Sequence, residues 1–257
     1  MVLQEHKFDK DGVQFTFFDE LFSGTGTAVA GSWKSERNPV LKDPKFMIDL
    51  GANVGIWTFF MAKKYPDCKI VAVEPMPNAY TSLIKGIEKN EFKNVGIIGT
   101  AITSHEGSLT LRSHRSNSGA TSAFLPKDEL FREEKVPAIT LNQLFETLHF
   151  NVDLIKVDIE GCEYSVFEDF KYWDRIGAMT IELHPWPQFQ GVELQREKTE
   201  GLITLLHKHM KDKPLYIEEF EFREDDFLEC VRPDLLEFDK KYEEMYPQVL
   251  EANGIQT

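Results

Sequence analysis

Short runs of apolar, often β-branched residues alternate along the middle of the chain with longer stretches whose apolar positions recur every three or four residues. The runs lie at residues 46–50, 70–74, 95–102, 154–159 and 179–183. Several are continuously apolar, as in Ile70-Val71-Ala72-Val73, the mark of strands covered on both faces by helices. An α/β fold with a mostly parallel central sheet is therefore predicted. Between the first two runs, Val54, Ile56, Trp57, Phe60 and Met61 form a helical stripe within residues 54–65, which Pro66 closes. The next helix is expected over residues 78–90, with Asn78 as its cap.

After the third run the pattern changes. Residues 107–113 alternate as an antiparallel strand does, whereas residues 113–123, rich in Ser, Asn and Gly, predict a mobile loop. Helices follow over residues 141–148, 163–170 and 194–210, then a late antiparallel strand over residues 215–222. The expected organisation is one domain over residues 1–257, with its core at about 45–222. Residues 1–40 are read as an N-terminal flank or lid, and residues 223–257 as a C-terminal helical flank.

Composition narrows the setting. A chain of 257 residues, 42% hydrophobic and 12% aromatic, is enough for one sizeable core. Its first ten residues carry Glu5, His6, Lys7 and Asp9 and no apolar run, so a secretory leader is not expected. No window reaches the roughly 18 consecutive apolar residues of a membrane-spanning helix. Cys68, Cys162 and Cys230 are odd in number and widely spaced, which fits a reducing, cytoplasmic location better than a disulfide framework or a CxxC metal site. A net charge of -14, from 43 acidic against 29 basic residues, argues against long nucleic acid as a partner.

The sharpest local signal is Asp49-Leu50-Gly51-Ala52-Asn53-Val54-Gly55, where a buried strand turns into a helix. Gly51 suits a tight turn with close approach of backbone to a ligand, and Gly55 suits close helix packing. Glu74, in Val73-Glu74-Pro75, ends the next strand, where a carboxylate can accept hydrogen bonds from both ribose hydroxyls of a nucleoside. Asn53 stands where the middle glycine of G-x-G-x-x-G would allow a pyrophosphate to approach, so a phosphate-free nucleoside fits better. S-adenosylmethionine is such a ligand. Its amino acid part is expected on the loop backbone and Asn53, with Asp49 meeting the ammonium directly or through water.

These two motifs, followed by Ile155-Lys156-Val157-Asp158-Ile159-Glu160-Gly161-Cys162-Glu163, resemble the FkbM family of S-adenosylmethionine-dependent methyltransferases. The third is similar to the family's K-I/V-D-V/I-E-G-x-E run. It is preceded by Thr140-Leu141-Asn142, similar to T-L-D with Asn142 in place of the acid, and followed by Glu182-Leu183-His184, similar to E-x-H. The resemblance covers residues 45–185 and implies a class I methyltransferase fold, Rossmann-like, and O-methylation of sugars or secondary metabolites. It also implies cofactor contacts from Asp49, Gly51, Asn53, Gly55 and Glu74, with Ala101 near the adenine.

Ionisable groups crowd the ends of the fourth and fifth strands: Asp158, Glu160, Glu163, Glu182 and His184. His184, which titrates nearest neutrality, is the expected general base, with Asp158 and Glu182 as further catalytic candidates. If the strand persists that far, Asp158 and Glu160 share one face of it and could flank the acceptor. With His184, Asp158 could also ligate a divalent metal such as Mg²⁺ or Ca²⁺, which is not expected. Lys156 is expected to point away from Asp158 and to pair with a core-facing carboxylate. Trp186 either stacks on a sugar or packs. The rival readings are an NAD-dependent oxidoreductase, which Gly51, Gly55 and Glu74 alone would permit, and a nucleoside-binding domain without catalysis.

Overall fold

In a computed structural model, the described residues are 2–20, 25–31, 33, 38–114, 117–124, 131–184 and 192–219. The apolar runs become the strands β3 (Phe46–Leu50), β4 (Lys69–Val73), β5 (Val95–Ile98), β10 (Leu154–Val157) and β11 (Met179–Leu183) of a sheet completed by β12 (Leu215–Glu219). The order is β12-β11-β10-β3-β4-β5, and every neighbouring pair is parallel. β3 and β10 are buried throughout, as their unbroken apolar character requires. The late strand is thus parallel, contrary to expectation. The helix α6 (Val192–His209) carries the chain back across the sheet, so β12 enters in the same direction as β11.

A second sheet, in the order β6-β9-β7-β8, stands beside the first. It contains β6 (Ala101–Thr103), β7 (Gly107–His114), β8 (Asn117–Ser122) and β9 (Phe131–Thr140). The predicted strand over residues 95–102 is therefore two strands in different sheets, separated at Gly99 and Thr100. Much of the expected mobile loop over residues 113–123 is β8, which pairs antiparallel with β7 at Ser113↔Thr121 and Arg112↔Ser122. Its polar residues hide it because the ladder bonds are made by backbone, which carries no hydropathy signal.

Residues 3–20 form a hairpin of β1 (Leu3–Lys10) and β2 (Val13–Glu20), turning at Asp11 and Gly12, both with positive φ. A short helix, α1 (Thr25–Gly31), follows. Phe8 lies edge-on to Phe60, and Phe15 edge-on to Phe59, both rings of α2 (Ile56–Lys64). With the hairpin over its outer side, α2 buries every residue from Ile56 to Ala62, not only the predicted stripe. α3 (Pro77–Lys89) begins at Pro77, whose fixed φ suits the first helical turn, so Met76 holds the cap position and Asn78 lies inside the helix. On the other face pack α4 (Leu141–Thr147), closed by a capping box of Thr140 and Gln143, and α5 (Glu163–Val166), one turn where a longer helix is expected.

Two apolar clusters fill the layers on either side of the parallel sheet. One joins β10 and β11 to α4 and α6, and the other joins β3 and β4 to α2 and the hairpin. Cys68 and Cys162 are buried free thiols, and Cys230 lies outside the described residues. No helix among the described residues is long and apolar enough to cross a membrane. The expected helical flank at 223–257 also lies outside them.

Candidate active site

Going outward from β3, the chain passes first to β4 and β5 on one side and then to β10 on the other, so the strand order reverses beside β3. At such a reversal the loops leaving the carboxyl ends diverge and open a crevice. Gly51 begins the crevice wall with φ 79°, and its N–H and that of Ala52 both donate to Val73 O at 3.0 Å. On its other side, Asp158 N–H donates to Leu50 O at 3.1 Å. A Cβ at Gly51 would stand 1.7 Å from the Asp158 carbonyl oxygen. Gly55, with φ 94°, starts α2, and a Cβ there would come within 2.6 Å of Leu83 and Phe59. Gly55 thus serves packing behind the loop and does not line the crevice.

Asn53 and Glu74 form one unit. Asn53 N–H donates to Glu74 Oε2 and Met76 N–H to Glu74 Oε1, each at 2.8 Å. Each carboxylate oxygen keeps a second lone pair, and Glu74 stands on the crevice wall with Gly51, Asn53 and Ala101. Burial pushes the Glu74 carboxyl up to about 7, against the stabilising N–H groups of Met76 and Asn53. The Asn53 side-chain oxygen is buried without a hydrogen-bond partner. The structure does not bring Asp49 to this wall. It is fully buried, accepts from Thr58 Oγ1 at 2.6 Å and faces Lys156 Nζ at 3.5 Å, and burial raises its pKa.

The opposite wall comes from the second sheet and the start of α3. Leu109, Leu111, Met76 and Ala79 make it apolar. At its edge, Glu20 at the end of β2 accepts from Asn78 Nδ2 at 3.1 Å and pairs with Arg132 of β9 at 3.3 Å. Glu20, Asn78 and Arg132 were not among the expected site residues. They come from three elements distant in sequence, and no local motif marks them.

At the end of β10, Lys156 Nζ donates to Asp158 Oδ2 at 2.9 Å and lies between Asp158 and Asp49. The expectation that it points away from Asp158 fails because residues two apart on a strand share a face. Burial disfavours the ammonium, but Asp158, Asp49 and Glu182 outweigh it and raise the Lys156 pKa. β10 ends at Val157 and the backbone at Glu160 is left-handed, so Asp158 and Glu160 share no strand face as expected, and both reach the crevice from the turn beyond the strand. Burial opposes the charge of Asp158, yet Lys156 and His184 hold its carboxyl below the usual range. Glu160 is pushed up to about 8 by burial, with His184 opposing the shift.

His184 follows β11 and sets Nδ1 3.2 Å from Glu163 Oε1, with Nε2 3.9 Å from both Asp158 and Glu160. Burial disfavours its charge, but Glu160, Glu163 and Asp158 prevail and raise its pKa to about 10. The ring is therefore cationic at neutral pH, and its expected work as a free base requires that proton to leave first. Glu182 is half-buried behind the crevice, its carboxyl raised to about 7 by burial and Asp158. Ligand atoms of Asp158, Glu160 and His184 lie within 4.8 Å of one another and could hold a metal ion. Trp186 lies outside the described residues.

A parallel sheet whose order reverses beside β3, with a glycine turn after that strand and a buried carboxylate after the next, defines a Rossmann-like α/β protein. The chain matches the Methyltransferase FkbM domain over residues 49–224 and belongs to that family. It is 26% identical over 162 residues to Methyltransferase 1 of Beauveria bassiana (strain ARSEF 2860), a match covering 55% of this chain. It is also 26% identical over 170 residues to Methyltransferase sdnD of Sordaria araneosa, covering 53% of this chain. In both cases the match spans 65% of the relative's length. Among solved structures, the Methanococcus jannaschii fibrillarin pre-rRNA processing protein aligns with a TM-score of 0.40 and 12% identity, over 78% of this chain and 72% of that one.

Proposed function

We propose that this protein transfers the methyl group of S-adenosylmethionine to a hydroxyl oxygen of a small acceptor, a sugar, glycan or secondary metabolite. The observation that carries this reading is the Asn53–Glu74 unit, a buried carboxylate pinned by two backbone N–H groups on the crevice wall. Its remaining lone pairs suit the two ribose hydroxyls. The unpartnered Asn53 oxygen suits the ammonium of the methionine part, and the apolar side of the crevice around Ala101 suits the adenine. Family membership supports the cofactor class.

In the reaction, the acceptor oxygen attacks the methyl carbon in line with the sulfonium. The carbon–sulfur bond breaks, its electron pair stays on sulfur, and S-adenosylhomocysteine leaves. Much of the acceleration comes from positioning oxygen, carbon and sulfur in one line. The hydroxyl proton passes to Glu160 on the crevice wall in its ionised form, which becomes the majority only above pH of about 8, with Asp158 beside it and His184 as the counter-cation of both. Glu182 contributes behind them by holding the charge of Lys156.

Calorimetric titration with S-adenosylhomocysteine, run beside NAD, tests the cofactor assignment. Binding of the former alone is expected, and a preference for NAD would overturn it. No metal enters this scheme, so chelator is expected to leave turnover unchanged. Reversible loss would instead bring an ion to Asp158, Glu160 and His184.

A further inference from the structure

Glu163 has no part in the scheme above, yet it is the best-connected carboxylate near the crevice. It is fully buried. Its Oε1 accepts from Ile159 N–H at 2.9 Å and meets His184 Nδ1 at 3.2 Å, while its Oε2 accepts from Gly161 N–H at 2.7 Å. Between those two amides the backbone is left-handed at Glu160, φ 54°, and at Gly161, φ 101°. A non-glycine residue in that region is held there by its surroundings. The carboxylate supplies the hold, and Glu160 is the residue thereby presented to the crevice.

Resting on the methyl-transfer reading, we propose that Glu163 is the positioning residue of the acceptor site, fixing both the turn that carries Glu160 and the ring of His184. A carboxylate that already receives two N–H groups can only accept, so His184 Nδ1 must carry its hydrogen. That choice leaves Nε2 as the ring atom facing Asp158 and Glu160. Once His184 gives up its extra proton, the lone pair appears on Nε2, toward the acceptor side, and not on Nδ1, toward the core. Glu163 works in this way without touching substrate. It resembles the carboxylates that orient histidines in triads and metal sites, where the far nitrogen sets the tautomer of the near one.

An amide cannot substitute. Glutamine offers one acceptor oxygen, so in Glu163→Gln the NH2 group must face at least one of the donors at Ile159, Gly161 and His184. The groups that face His184 among the described residues are Asp158 and Glu160 from the turn after β10, Glu163 from α5 and Glu182 from β11. Removing the Glu163 charge leaves the other three in place, so the change in the ring reports Glu163 itself.

The test is nitrogen NMR of protein labelled on its seven histidines, with the His184 resonances identified by their loss in His184→Asn. In the wild-type protein the neutral ring is expected as the Nδ1–H form. In Glu163→Leu, which leaves Nδ1 without that acceptor, the preference should disappear. A neutral wild-type ring found as the Nε2–H form would overturn the proposal, and this measurement needs no Glu163 variant to fold. An unchanged tautomer in a Glu163→Leu protein that still melts cooperatively would overturn it equally. Binding of S-adenosylhomocysteine, followed alongside, should survive in a folded Glu163→Leu protein, since Glu74 and Asn53 are untouched. Failure of the wild-type protein to bind it would remove the methyl-transfer reading, and with it the catalytic meaning of Glu163, whatever the His184 tautomer.

Discussion

Gly51→Ala would strike the contact on which the crevice is built. Two glycines of this protein share nearly the same positive φ, Gly51 at 79° and Gly12 at 74°. A Cβ at Gly12 meets nothing within 4 Å, whereas at Gly51 it falls 1.7 Å from the Asp158 carbonyl oxygen. Carbon and oxygen rest at about 3.3 Å, so β3 and β10 must part by roughly 1.6 Å at their carboxyl ends. Both variants bear the left-handed penalty of about 1–2 kcal/mol. Gly51→Ala should also lose the Asp158 N–H to Leu50 O bond, about 1 kcal/mol, and strain the Lys156–Asp158 pair beyond it. We expect about 4 kcal/mol in total, against about 1 kcal/mol for Gly12→Ala. At roughly 2–4 °C per kcal/mol for a domain of this size, thermal melts should show falls of about 8–16 °C and about 2–4 °C. The Gly51 variant should in addition lose affinity for S-adenosylhomocysteine. Equal melting shifts would refute the reasoning, because backbone conformation alone would then account for the glycine at 51.

Glu74→Gln is expected to weaken S-adenosylhomocysteine by about tenfold or more, the value of a charged hydrogen bond, and unchanged affinity would remove the ribose assignment. Because burial raises Glu74 to about 7, lowering pH from 8 to 6 protonates it and should weaken cofactor binding in the wild-type protein but not in Glu74→Gln. Stability moves the other way. A carboxyl raised on folding costs stability in full above pH of about 7, and that cost is relieved as pH falls from about 7 toward the ordinary carboxylate range. Lys156→Met leaves Asp49 and Asp158 without the cation between them and should cost about 3–5 kcal/mol in denaturant unfolding. A loss below about 1 kcal/mol would mean that the two acids relieve each other by protonation. His184→Ala should lower turnover and leave S-adenosylhomocysteine binding nearly intact, and undiminished turnover would exclude the ring from the reaction.

Much of this protein could be read one residue at a time. Continuous apolar runs determine which segments lie in the middle of a parallel sheet, because such strands must be covered on both faces, and β3, β4, β10 and β11 stand where the pattern puts them. Gly51, Asn53 and Glu74 were legible as well, since a tight turn and a strand-end carboxylate are set by local chemistry. Partnership was not. β8 is polar and owes its existence to the backbone of β7, α2 is buried on all sides only because the hairpin folds over it, and β12 takes its direction from the crossing of α6. The same holds within the site. That Asp49 turns inward to Thr58 and Lys156, that Glu20 meets Arg132, and that one carboxylate at Glu163 grips both a turn and a histidine depend on distances between elements far apart in the chain. Hydropathy and local propensity act over a few residues, whereas electrostatic pairing acts through space, so the sequence by itself determined the strands and the glycine turn after β3, and only the tertiary structure decided which charges meet.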